Sequence, residues 1–223
     1  DWSSDVCSSD LNPKFKVVFV GDSTVGKTSI IHKYMNLEQV TTSTLGATST
    51  RVDYVYENFG MIMNVWDTAG QESFRNLVPV YAKGANAIVI VFDQANESSF
   101  NHLNDWYKYL KENVEMFRCI VVANKIDLEP VIDINDAYEW ASAHGAEIVK
   151  VSAKDGTNIS NLFEVIGKQL YEYYNECLEK KENKDNDKNT KVDNSNENEK
   201  KDDNNSSVEI DKKQEKVDKK GCC

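Results

Sequence analysis

Short apolar runs alternate along residues 14–178 with longer stretches in which apolar positions return every three or four residues. The runs predict buried strands over Lys14–Val20, Arg51–Asn58, Met61–Asp67, Ala87–Phe92, Cys119–Ala123 and Glu147–Val151. The longer period predicts helices over Thr28–Asn36, Ser98–Asn113, Ile134–His144 and Ser160–Glu179. In the last of these, Leu162, Phe163, Ile166, Leu170 and Tyr173 make an apolar stripe wide enough to cover a sheet. Asn96 to Phe100 offers capping side chains before the second helix, and Phe59-Gly60 places a hairpin turn between the second and third strands. Strands and helices in this alternation predict an α/β fold: a six-stranded, mostly parallel sheet with helices on both faces.

The pattern stops abruptly near Leu178. Residues 180–220 carry twelve Lys, twelve Asp or Glu, and only Val192, Val208, Ile210 and Val217 as apolar side chains. Such a segment buries too little surface to offset its ordering entropy, so residues 179–220 are expected to be a disordered tail. Gly221-Cys222-Cys223 ends the chain. At the other end, residues 1–11 lack both an initiator methionine and an apolar period, and are expected to be a non-native extension. The globular part is then residues 12–178.

Charge narrows the partners. The net charge is −11, and because the tail's charges cancel, all of it lies elsewhere; a nucleic-acid-binding surface is not expected. No apolar run approaches the ~20 residues of a membrane span. The five cysteines have neither metal-ligand spacing nor a secretory signal before them, which favours a reducing, cytosolic setting.

Chemistry enters at Gly21-Asp22-Ser23-Thr24-Val25-Gly26-Lys27-Thr28, which fits G-x-x-x-x-G-K-[ST] without mismatch between a strand and a helix. Its glycines let successive amides turn toward phosphate oxygens, and the helix N-terminus adds positive field. Lys27 would bridge the terminal phosphates, and the Thr28 hydroxyl would hold Mg²⁺. Asp67 ends the third strand in Trp66-Asp67-Thr68-Ala69-Gly70-Gln71-Glu72, where a water ligand of Mg²⁺ is needed. Gly70 can bring its amide to a terminal phosphate, and Gln71 can orient an attacking water. Asn124-Lys125-Ile126-Asp127 follows the fifth strand, and a carboxylate there can accept two hydrogen bonds from the N1 and N2 edge of guanine. Adenine lacks that donor pair, so an unsatisfied carboxylate would reject it. Ser152-Ala153-Lys154, after the sixth strand, can offer a backbone amide to the guanine oxygen. Taken singly, each is also a plain turn at a strand end.

In this order, over about residues 14–178, the motifs resemble the Ras-like small GTPases. Trp66 to Phe74, Tyr81-Ala82-Lys83-Gly84-Ala85 and the two final cysteines are similar to the Rab branch. The resemblance implies a P-loop NTPase G domain that binds GTP and GDP with Mg²⁺ and hydrolyses GTP as a membrane-anchored switch in vesicle traffic. Carried over by position, it implies nucleotide contacts from Asp22, Ser23, Thr24, Val25, Gly26, Lys27, Thr28, Ser29, Thr44, Gly70, Asn124, Lys125, Asp127, Ser152, Ala153 and Lys154. It makes Thr28, Thr44 and Asp67 the Mg²⁺ set, Gln71 the catalytic residue, and Cys222 and Cys223 sites for two lipid chains. Implied partners are an exchange factor, a GTPase-activating protein, effectors, a GDP-dissociation inhibitor and a prenyl-transfer escort. The implied location is the cytoplasmic face of endomembranes, with some likeness to early-endosomal Rabs.

The first switch departs from the family pattern. Thr44 lies 17 positions after Lys27, closer than is usual in the family. No aromatic stands among Leu37, Glu38, Gln39 and Val40 to stack on guanine, and Thr48 occupies a usually apolar position. Losing a stacking contact of about 1 kcal/mol implies faster nucleotide release than in a typical Rab. The other reading left open is a nucleotide-binding module with little or no hydrolysis. An ATP-using phosphate-loop enzyme is disfavoured by Asn124-Lys125-Ile126-Asp127.

Overall fold

The computed structural model describes residues 12–38, 44, 46–70 and 77–192, with side chains as far as residue 180. Six strands form one sheet in the order β2-β3-β1-β4-β5-β6. They are β1 (Lys14–Val20), β2 (Ala47–Tyr56), β3 (Phe59–Thr68), β4 (Ala87–Asp93), β5 (Arg118–Asn124) and β6 (Glu147–Lys150). β2 runs antiparallel to β3 and every other neighbouring pair is parallel, so the expected mostly parallel sheet is present. The helices are α1 (Lys27–Tyr34), α2 (Val78–Ala82), α3 (Glu97–Asn101), α4 (Leu103–Asn113), α5 (Ile134–Ala143) and α6 (Ile159–Val192).

Two cores form because both faces of the central strands are buried, as crossover helices require. On one face Phe19, Val89 and Val122 pack with Ile30 of α1 and with Leu162, Phe163, Ile166 and Leu170 of α6. On the other, Val18, Ile90 and Val121 pack with Val78, Leu103, Trp106, Leu110 and Ala137 from α2, α4 and α5. Phe163 has no exposed surface and stacks on Tyr34, with ring centroids 3.5 Å apart and planes 8° from parallel. It fixes α1, and with it the loop that α1 continues. Phe163→Ala is therefore expected to cost about 3–5 kcal/mol of stability, read as a lower urea midpoint at unchanged m-value.

Four local expectations change. The hairpin turn is Glu57-Asn58, one dipeptide earlier than Phe59-Gly60, because Tyr56 pairs with Phe59 and Val55 with Gly60. Glu57 supplies the positive φ of +53° that the tight reversal needs. The single helix expected over Ser98–Asn113 divides into α3 and α4 at His102, although the bonds from His102 N to Ser98 O and from Trp106 N to His102 O bracket the joint. The short α2, with Pro79 in its first turn, has no helical period to announce it. Finally, α6 runs past Glu179 to Val192, so the backbone of residues 180–192 is helical where disorder is expected. Lys and Glu are good helix formers, and extending a packed helix needs no new nucleus. Residues 193–223, including Cys222 and Cys223, and residues 1–11 lie outside the described residues.

Candidate functional site

β1, β3, β4, β5 and β6 run the same way, so the segments that come after them gather at one edge of the sheet. β1 has β3 on one side and β4 on the other, which makes its carboxyl end the point where chain connections diverge and a crevice opens. Gly21–Thr28 leaves β1 there. Gly26 is the N-cap of α1 with φ +97°, a left-handed value natural to glycine, and makes no side-chain cap. A Cβ at Gly26 would fall 2.3 Å from Asn124 Nδ2, so glycine is also required by space. The first-turn amides of α1 receive no acidic residue from their own helix, an arrangement that suits an external anion.

Lys27 is 6 % exposed. Its Nζ donates to the carbonyls of Gly21 at 2.8 Å and Asp22 at 2.7 Å, folding the side chain back over the loop. Burial lowers its ammonium to about 8, and the nearby carboxylates of Asp67 and Asp22 partly oppose that shift. A buried cation with mainly carbonyl partners is poised for an anionic ligand that would restore its charge.

Across the crevice, Thr68 Oγ1 donates to Phe19 O at 2.7 Å and locks β3 to β1. Asp67 then points at α1: its Oδ2 accepts from Thr28 Oγ1 at 2.6 Å and from Thr44 Oγ1 at 3.3 Å, while the two hydroxyls lie 2.7 Å apart. Burial pushes the Asp67 carboxyl above its ordinary range, against the Thr28 hydrogen bond and the Lys27 charge. Its Oδ1 is buried without a hydrogen-bond partner. Two hydroxyls and a carboxylate with an orphaned oxygen form a hard, all-oxygen donor set, which fits Mg²⁺. Gly70 sits so close to this cluster that a Cβ would fall 2.2 Å from Asp22 O and 2.4 Å from Lys27 Nζ.

A third group lies after β5 and β6. Asn124, 1 % exposed, donates from Nδ2 to Val25 O at 2.7 Å and accepts from Ala153 N at 3.1 Å. One side chain thus holds the Gly21–Thr28 loop to the Ser152–Lys154 loop. Ser152 Oγ donates to Asp127 Oδ1 at 2.8 Å, and Lys154 Nζ stands 3.4 Å from Asp127 Oδ2. The Ser152 hydrogen bond, ahead of the Lys154 interactions, holds the Asp127 carboxyl below its usual range and so ionised.

A Ras family model matches residues 16–172. Ras-related protein Rab-7a of Paramecium octaurelia is 35% identical over 164 residues, covering 69% of this chain and 80% of that relative. Ras-related protein Rab-31 of Rattus norvegicus is 36% identical over 162 residues, 70% of this chain and 83% of the relative. GTP-binding protein Rab-3D of Rattus norvegicus is 33% identical over 181 residues, 78% and 82% respectively. The chain belongs to the Ras family, in its Rab branch.

Most of the positions singled out in the sequence of this Rab come together at one sheet edge. Lys27, Thr28, Thr44, Asp67 and Gly70 form one continuous cluster. Val25, Gly26, Asn124, Ala153, Ser152, Asp127 and Lys154 form a second that meets the first through the loop. Ser23 and Thr24 are exposed on the loop, and Ser29 lies in the first turns of α1. Gln71 falls outside the described residues, as do Gln39 and Val40.

Four side chains around the site of this Rab escape a motif reading: Asp93, Gln94, His102 and Trp106. Lys125 donates from Nζ to Asp93 Oδ2 at 2.7 Å, with its backbone at φ +65°. Gln94 donates from Nε2 to Leu128 O at 3.0 Å, steadying the same loop. His102, at the joint between α3 and α4, and Trp106 of α4 reach the Asp22 carboxylate. The one sequence signal for Asp93 is a carboxylate at the end of a wholly buried strand.

Proposed function

We propose that this Rab protein binds GTP and GDP with Mg²⁺, hydrolyses GTP slowly on its own, and works as a membrane-anchored switch in vesicle traffic. The observation that carries this reading is the meeting, at one sheet edge, of a buried lysine folded over an amide-rich loop and an ionised Asp127 oriented by Ser152. In this reading Asp22 to Ser29 cradle the phosphates, with Lys27 leaving its carbonyl partners for phosphate oxygens. Asn124 holds the phosphate and base halves in register, Asp127 accepts from guanine, and the Ala153 region faces its oxygen. Thr28, Thr44 and Asp67 hold Mg²⁺, which when bound neutralises charge on the phosphates. Gly70 and Gln71 act at the terminal phosphate, Gln71 by orienting water.

Loss of the γ-phosphate then releases the segments around Thr44 and Gly70, which is how hydrolysis becomes a change of partner. Its proposed partners are an exchange factor, a GTPase-activating protein, effectors, a GDP-dissociation inhibitor and a prenyl-transfer escort, a reading supported by the regulators and effectors general to the family. Cys222 and Cys223 would carry two lipids, since one chain anchors only marginally, and would place the protein on the cytoplasmic face of endomembranes. The relative named above as a GTP-binding protein supports the ligand.

Single-turnover hydrolysis tests the enzyme directly. GTP-loaded protein is expected to convert its nucleotide to GDP, and Gln71→Leu to slow that conversion by about tenfold or more, within the range for a group that positions a reacting water. Equal rates for the two proteins, or no conversion by either, would leave only a binding module.

A further inference from the structure

The phosphate loop is tied to the rest of the domain through a side chain that neither the phosphate nor the guanine machinery uses. Asp22 Oδ2 lies 2.6 Å from His102 Nδ1, and Asp22 Oδ1 accepts from Trp106 Nε1 at 2.8 Å. A carboxylate has no proton to give, so His102 donates through Nδ1. The two donors stand one helical turn apart, at the joint between α3 and α4, and therefore approach from the same side. Trp106 is 3 % exposed and packs in the core with Leu103, Leu110 and Phe92. His102 is 39 % exposed at its side chain and Asp22 25 %.

The same residue that receives both donors also presents its backbone to the reactive cluster. Asp22 O accepts from Lys27 Nζ at 2.7 Å and is the atom a Cβ on Gly70 would strike. The position of Asp22 therefore sets where the Lys27 ammonium rests and how closely Gly70 can approach. A rigid core tryptophan and a surface histidine grip it from behind. Because both bonds involve an ionised acceptor, they are stronger than neutral ones and directional.

We infer that Asp22, His102 and Trp106 form a strut that positions the phosphate loop, and that its hydrogen bonds slow nucleotide release. His102 and Trp106 are positioning residues: they act on the nucleotide only through Asp22. A loop held in its binding geometry gives up less entropy when ligand enters, and must break or drag these bonds to open when ligand leaves. The inference rests on the nucleotide-binding reading above. It adds a control point at the α3–α4 joint, far in sequence from every motif.

The test is the dissociation rate of mant-GDP from the full chain, followed after addition of excess GDP, for wild type, His102→Leu, Trp106→Phe and the double variant. Trp106→Phe keeps an aromatic ring in the core and removes the indole donor, while His102→Leu alters a partly exposed position. The double variant is expected to release nucleotide about tenfold faster, the loss of two charge-assisted bonds being shared between bound and open loop. His102→Asn, which places an amide donor near the position of Nδ1, is expected to stay within about twofold of wild type; packing loss alone would not separate Asn from Leu. A double variant within twofold of wild type, or His102→Asn as fast as His102→Leu, overturns the strut. Wild-type protein that fails to retain mant-GDP at all overturns the nucleotide reading and the strut with it.

Discussion

Lys27→Ala is expected to weaken GTP binding by about 10³-fold, because it removes charge-assisted hydrogen bonds to phosphate worth about 1.5–3 kcal/mol each. The loss should be specific to the ligand. Burial already disfavours the charged form of Lys27, lowering its ammonium to about 8, so deleting it relieves a cost as well as the bonds to Gly21 and Asp22. The nucleotide-free protein should therefore melt close to wild type, while the rise in melting temperature on adding GTP disappears. Titration with mant-GTP beside thermal melts with and without nucleotide checks both halves. Affinity within tenfold of wild type would mean that phosphate is held elsewhere.

Gly70→Ala is expected to slow single-turnover hydrolysis by about 100-fold, since a displacement of about 1 Å in a positioned group costs that much. The added methyl has nowhere to go. Its carbon would stand 2.2 Å from Asp22 O and 2.4 Å from Lys27 Nζ, and the first of these is backbone. Either the loop or the segment after β3 must shift, and both carry groups proposed to act at the terminal phosphate. GDP retention should fall much less, because Asn124, Asp127 and Ser152, the residues proposed to hold guanine, are not among those that methyl would meet most closely. Hydrolysis within threefold of wild type would show that Gly70 has no close approach to make.

Much of this site is legible in the sequence because its parts are local. Gly21–Thr28, Trp66–Gln71, Asn124–Asp127 and Ser152–Lys154 each come directly after or at the end of an apolar run, and parallel strands deliver their C-terminal loops to one edge. The strands read well for the same reason: β4 is buried at every position and β5 nearly so, leaving no helical period to confuse with them. A linear reading misses side chains that act over long separations. Asn124 meets Val25 across 99 positions, Trp106 meets Asp22 across 84, and Lys125 turns to Asp93 across 32. Nothing near His102 in sequence marks it as part of the site, and Asp93 is signalled only by its place at the end of a buried strand. The hairpin misplacement has a different cause. Glycine at position 60 advertises a turn, yet strand pairing puts it opposite Val55 and hands the left-handed residue to Glu57. The joint at His102 likewise interrupts a helical period that runs unbroken in the sequence, at the point where its side chain turns to Asp22.

Base selection tests the account most directly, since the proposed contacts from Asp127 and the Ala153 region are what would make this phosphate loop choose guanine. Purified protein loaded with mant-GDP and titrated with GTP and with ATP is expected to lose the probe to GTP and to need at least about 10³-fold more ATP for the same displacement, the scale of rejection when a polar group covered by the ligand goes unpaired. Equal displacement by the two nucleotides, or by neither, would contradict it.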